Sequence, residues 1–272
     1  RRGRRTVGAW CFADHFGPAG PPASMQVGPH PHTGLHTVTW LVEGEVLHRD
    51  SLGSEQLIRP GQLNLMTAGH GVAHAEESPR GAGGDLHGAQ LWVAQPEATR
   101  HGPPAFEHHA ELPRLALGDA TVTVLVGRVG GERSPARADT PLVGAELATP
   151  GAPTAVPLDP AFEHALVVLD GTVEVGGRAI APGVLAYLGE GRDELAVDAP
   201  GPARLLLLGG EPFGDPIVMS WNFVGRSRAE VERAAAEWNA GDGRFGAVAS
   251  ALARIPAPEP GAGPVAARRD GG

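Results

Sequence analysis

Short apolar, β-branched runs, each cut by glycine or proline, constrain the fold of this chain more than any other feature. Thr37–Val46 reads TVTWLVEGEV, broken at Glu43-Gly44 in the manner of a hairpin turn. Leu57-Ile58 leads to the turn Arg59-Pro60-Gly61-Gln62 and the strand LNLMTA, Leu63–Ala68. Gly69-His70-Gly71 then turns the chain into Val72–Glu76, and a further strand is expected at Ala89–Ala94. The 40 glycines and 26 prolines are scattered between such runs rather than gathered in one block. That pattern favours an all-β protein, a sandwich or a barrel.

The pattern occurs twice. LVEGEV (Leu41–Val46) has a counterpart in VLDGTV (Val168–Val173), and RPGQLNLMTAG (Arg59–Gly69) has one in APGVLAYLGEG (Ala181–Gly191). Two related antiparallel β-barrels in tandem are therefore expected, over 1–128 and 129–245. The segment Gln95–Pro113 holds four prolines and reads as an irregular excursion, after which a strand resumes at Ala120–Val126. One helix is expected over 227–239, SRAEVERAAAEWN. Ser227 and Glu230 form a capping box there, and Val231, Ala234, Ala235 and Trp238 share a face. The Pro-, Gly- and Ala-rich tail, 246–272, is expected to be disordered.

Composition excludes several functions. A formal net charge of −9 argues against a nucleic-acid-binding face. The 22 basic residues are all arginine, which fits a coding bias better than phosphate recognition. No run of about eighteen apolar residues is present to span a membrane. Cys11 alone cannot form an internal disulfide and fits a reducing cytoplasm. Arg1, Arg2, Arg4 and Arg5 resemble a basic targeting run, although such clusters are commonly just solvated. A chain of closed barrels has few free sheet edges, so a monomer is expected.

The chemistry lies in the histidines. His30-Pro31-His32 and His74-Ala75-Glu76 each place two metal-capable side chains two residues apart, and so on one face of a strand. Two neighbouring strands would bring His30, His32, His74 and Glu76 to one point. This set suits a divalent transition metal and lies close to the two-histidine, one-carboxylate arrangement of non-haem iron oxygenases. Only His164 of the twelve histidines lies beyond His109, so the second barrel is not expected to bind metal in this way.

GPHPHTGLHTVTWLVEG followed by RPGQLNLMTAGHGVAHAEES resembles the pirin family of the cupin superfamily. WCFADHFGP (Trp10–Pro18) and GEPFGDPIVMSWNFV (Gly210–Val224) are similar to that family's opening and closing segments. The resemblance implies a bicupin in which the N-terminal barrel alone holds metal, at His30, His32, His74 and Glu76. It implies one divalent ion, foremost Fe(II), with Zn, Mn, Ni, Co or Cu as alternatives. It also implies quercetin 2,3-dioxygenase activity on a flavonol-like substrate with dioxygen. Other members act as regulators that bind a protein partner, so a metal- or redox-sensing regulator stands as the second expectation.

Two positions depart from the family pattern. His36 stands where cupins usually carry an acid, and His70 where an arginine is common. On parity with His30 and His32, His36 could face the cavity as a partner of the ligands or as a base; it could also be a packed core histidine. Glu76 is the first expectation for a proton acceptor from the substrate hydroxyl, with His36 as the alternative. Leu35, Val38, Trp40, Leu65 and Trp92 are candidates for an apolar wall, or for core packing. His15 reads as structural, His48 and His87 as exposed or cavity-edge residues, and His101, His108 and His109 as a solvated loop.

Overall fold

The computed structural model describes residues 6–19, 25–79 and 85–259. The arginine run at Arg1–Arg5 and tail residues 260–272 lie outside them. Nine strands build the first barrel: β1 (Trp10–Ala19), β2 (Gln26–His32), β3 (Leu35–Glu43), β4 (Val46–Asp50), β5 (Glu55–Ile58), β6 (Leu63–Thr67), β7 (Val72–Glu77), β8 (Leu86–Ala94) and β9 (Ala105–His109). They form two antiparallel sheets, in the orders β1-β8-β3-β6-β9 and β2-β7-β4-β5. In the second half, Glu163–Asp170 lies between Ala203–Gly210 and Leu185–Gly189, as β3 lies between β8 and β6. The repeat read from the sequence is thus a repeat of topology, and the described residues form two tandem all-β barrels with one α-helix.

The echoed glycines mark corners rather than hairpins. β3 pairs with β6 and β8, whereas β4, just past Gly44, pairs with β5 and β7 in the other sheet. The second copy does the same at Gly171: Glu163–Asp170 stays in the large sheet, and Val173–Val175 pairs with Arg178–Ile180. Gly44 and Gly171 both have positive φ, 85° and 71°. A Cβ at either would fall 2.7 Å from Asp85 O or 2.4 Å from Pro202 O, so each corner needs glycine.

Two further expectations are corrected. The segment Gln95–Pro113 is not wholly irregular, because β9 within it pairs with β6 from Leu63↔His109 to Thr67↔Ala105. The boundary drawn at 128 falls inside the strand Ala120–Val129, which pairs with Leu142–Thr149 and Arg114–Leu117 in the second half's seven-stranded sheet.

The large sheets of the two halves pack face to face. Val38 and Trp40 of β3, Leu63 and Leu65 of β6, and Leu91 and Val93 of β8 meet Ala165, Val167, Leu206 and Leu208. The alternate residues Leu166, Val168, Leu205 and Leu207 fill the second barrel. A strand covered on both faces reads as an unbroken apolar run, which is why Leu205–Leu208 shows no alternation. Val38, Trp40 and Leu65 therefore belong to the seam between barrels and not to a substrate wall.

The helix α1, Arg228–Ala240, is capped as expected: the Ser227 side chain accepts from Glu230 N, and Gly241 closes it in a left-handed conformation. Glu230 Oε2 reaches one residue further back than in a capping box and accepts from Arg226 N at 2.9 Å. Residues 246–259, expected to be disordered, are laid against the helix and the first barrel. Trp238 Nε1 donates to Ile255 O at 2.8 Å, Asn239 exchanges two hydrogen bonds with Ala257, and Ile255 N donates to Pro29 O. These long-range anchors fix a segment whose composition alone carries no signal of order.

Candidate metal centre

β2 and β7 are neighbours, with His30 directly opposite His74. The ring centroids of His30, His32 and His74 lie 4.3–5.1 Å apart, and one nitrogen from each falls within 4.8 Å of the other two. None of the three is more than 7% exposed. Carbonyl oxygens can only accept, so the contacts of His30 Nδ1 with Gly28 O (2.9 Å) and of His32 Nδ1 with Asn222 O (3.2 Å) place a proton on each Nδ1. Both Nε2 atoms are thereby left as bare donors, the tautomer a metal needs. His32 Nε2 is 3.1 Å from His74 Nε2. Two donors at about 2.1 Å from one ion and at right angles to each other would be about 3.0 Å apart.

Glu76 is brought to the same barrel interior but not into that trio. Its carboxylate groups with His74 and His48, and Thr39 Oγ1 donates to its Oε1 at 3.4 Å. Burial raises the proton affinity of Glu76, opposed by His48 and Thr39.

Burial also lowers the pKa of all three imidazoles, that of His30 to about 4 and those of His32 and His74 well below the usual value. They are neutral at pH 7 without needing the metal to displace a proton. The sign for stability follows. Below about 6.5 an unfolded chain binds protons that these folded histidines refuse. The metal-free protein should therefore lose stability as pH falls from about 6.5 towards 4, by up to roughly 1.4 kcal/mol per pH unit for each histidine. Glu76, whose pKa is raised, acts in the opposite direction, one group against three. Urea midpoints of the metal-free protein between pH 7 and 4.5 check this; a flat profile would contradict the burial of the cluster.

His36 does not join the site. The Thr33-Gly34 turn, with Gly34 at φ 68°, carries the chain from one sheet to the other, so parity counted from His32 fails at His36. Its Nδ1 meets Thr67 Oγ1 at 2.9 Å, and its Nε2 donates to Asp139 Oδ2 at 3.1 Å, across to the second half. Asp139 also accepts from Gln95, Thr99 and Arg137. Burial alone would raise the Asp139 pKa, but the bonds from His36, Arg137 and Thr99 outweigh it and hold this carboxylate ionised. His36 is thus held between Thr67 and Asp139 and is not turned to the histidine group.

The residue that sequence reasoning missed is His48. It is 2% exposed, with Nδ1 3.3 Å from His74 Nδ1 and its ring stacked 4.4 Å from Phe106. The signal was available: His48-X-Asp50 is a third pair at strand spacing, and β4 lies beside β7 with His48 opposite Glu76 and Asp50 opposite His74. The remaining histidines lie elsewhere. His70 is exposed on its turn and bonds Gly102 O, His15 pairs with His87, and His108 bonds Asn64. Leu35 and Trp92 pack together beside the centre, with Trp92 edge-on to His32 at 5.2 Å and stacked on the half-exposed Phe12.

Comparison with known proteins decides the family. The pirin profile matches residues 1–93 and that of the pirin C-terminal cupin domain matches 145–246. This chain belongs to the pirin family. A Pseudomonas aeruginosa relative named "Putative quercetin 2,3-dioxygenase PA1205" is 54% identical over 251 residues, covering 90% of this chain and 78% of its own. The crystal structure of a quercetin 2,3-dioxygenase from Acinetobacter baumannii superposes with a TM-score of 0.89 at 44% identity, covering 95% of this pirin and 87% of that chain. An Escherichia coli pirin, YhhW, crystallised in complex with nickel(II), shares the fold at a TM-score of 0.60 and 19% identity, covering 76% and 85%. As a pirin, the chain carries a histidine group able to hold a metal ion in its first barrel. No helix among the described residues is long and apolar enough to cross a membrane.

Proposed function

We propose that this pirin is a metal-dependent dioxygenase of flavonols such as quercetin or of related enols, with His30, His32, His74 and Glu76 holding the ion. The observation that carries the reading is the pair of imidazole Nε2 atoms 3.1 Å apart, in a centre where His30 and His32 both have Nδ1–H bound to a carbonyl. This donor set fits a first-row divalent ion, Fe(II) foremost, and does not by itself choose among Fe, Zn, Mn, Ni, Co and Cu. When bound, the ion supplies the Lewis-acid and redox centre at which enol and dioxygen are brought together.

The protein's own groups do the rest. Gly28 O and Asn222 O keep two imidazoles in the donor tautomer. In this reading Glu76, whose burial raises its proton affinity, accepts the proton of the substrate hydroxyl. Trp92, edge-on to His32, and Leu35 packed with it exclude water on that side of the centre. The assay loads the protein anaerobically with ferrous iron, adds quercetin, admits air, and follows oxygen uptake and carbon monoxide release. Equimolar uptake and release support the reading; a fully metallated protein without turnover rejects it.

A second reading is favoured by burial. Ligands at most 7% exposed leave little open surface for a flavonol, whereas dioxygen or a small oxidant needs far less room. In that case the ion senses redox state, and the acidic chain acts through a partner protein. Pull-down from a native extract with metal-loaded and metal-free protein distinguishes the two readings.

A further inference from the structure

Metal-binding histidines need their second nitrogen fixed, and among the described residues no carbonyl does this for His74. Its Nδ1 faces His48 Nδ1 at 3.3 Å, and His48 Nε2 faces Asp50 Oδ2 at 3.3 Å. The other carboxylate oxygen, Asp50 Oδ1, accepts from Leu52 N and Ser54 N, both at 2.9 Å. Asp50 and His48 are 3% and 2% exposed, and Phe106 stacked on His48 holds its ring plane.

With His48 neutral, one proton assignment satisfies the contacts behind His74. A carboxylate accepts only, so His48 carries its proton on Nε2 and donates it to Asp50. His48 Nδ1 is then an acceptor, and His74 must donate Nδ1–H to it. That leaves His74 Nε2 bare, on the side where His32 Nε2 lies 3.1 Å away.

We infer that Asp50 and His48 are positioning residues: a buried carboxylate–imidazole–imidazole chain that sets the tautomer of His74 and so makes its Nε2 available to the metal. The inference rests on the proposed role of His74 as a ligand, and adds the residues that prepare it. His48, His74 and Glu76 are also close enough to hold an ion as a trio. Both nitrogens of His48 are already engaged, however, so His48 acts behind the ligand and not as one.

Asp50→Asn tests this with little change of shape. The amide oxygen can keep the bonds from Leu52 N and Ser54 N, which places the NH2 group opposite His48 Nε2. An NH2 group donates, so His48 must move its proton to Nδ1, and His74 in turn must carry its proton on Nε2. The first measurement is the tautomer of His74 in metal-free protein, from long-range 1H–15N correlation of the imidazoles. The Nδ1–H form is expected in the parent and the Nε2–H form in Asp50→Asn. The second is affinity for nickel(II) by competition with a chromogenic chelator, expected to fall about tenfold to a hundredfold in Asp50→Asn. His48→Phe, which retains the ring stack and removes the acceptor, should weaken nickel(II) in the same range.

An unchanged His74 tautomer in Asp50→Asn, in protein whose circular dichroism and melting match the parent, would overturn the inference. So would parent His74 already protonated on Nε2. Should the parent show the expected tautomers but bind no metal, the functional reading would fail while the chain of hydrogen bonds stood.

Discussion

His74→Ala should abolish metal retention, lowering affinity by more than roughly a hundredfold, beyond the tenfold to hundredfold typical of losing an outer partner. Two features make this position decisive. His74 meets both His30 and His32, with ring centroids at 4.3 and 5.0 Å. It is also the point where the second group, with His48 and Glu76, joins the first. Its loss therefore removes a donor and cuts the centre in two. The side chain lies in an interior crowded by three other imidazoles, so truncation relieves like-charge repulsion at low pH and need not unfold the barrel. Metal content after dialysis, with far-ultraviolet circular dichroism as the folding check, measures both. Retention within threefold of the parent would exclude His74 as a ligand.

Trp10→Ala should have the largest effect on stability, a loss of about 3–5 kcal/mol. Trp10 is 3% exposed in the seam between barrels, and its indole N–H donates to Val143 O at 3.0 Å and Gly209 O at 3.2 Å. Truncation opens a cavity in a cluster that both large sheets share and strips two carbonyls of a donor. Trp10→Phe keeps most of the apolar area and loses only the N–H, so it should cost about 1–3 kcal/mol. Urea unfolding followed by fluorescence and circular dichroism reads both variants. Equal losses for the two would mean that the hydrogen bond, not packing, joins the halves; a loss under about 1 kcal/mol in Trp10→Ala would mean that the seam contributes little.

What the sequence showed, and what it hid, follows from how far each signal reaches. Strand parity is local, so His30 with His32 could be placed on one face from spacing alone, and so could His74 with Glu76. Parity does not survive a change of sheet, and Thr33-Gly34 is such a change. His36, four residues past His32, consequently points at Asp139 and not at the metal centre. The glycines at 44 and 171 announced turns correctly, but a turn does not tell whether the strands on its two sides pair with each other. Here they part into different sheets. His48 looked ordinary because its partners, His74 and Phe106, are distant in sequence. The tail to residue 259 was misjudged for the same reason: composition is local, while Trp238, Asn239 and Pro29 hold that segment from elsewhere.

The most direct test of the metal centre is X-ray absorption at the iron edge of protein loaded anaerobically with one equivalent of Fe(II). Multiple scattering from three imidazoles, with oxygen making up the remaining ligands, is the predicted result. A spectrum with one imidazole or none would show that His30, His32 and His74 do not share an ion, and the proposed dioxygenase and the redox sensor would both lose their foundation.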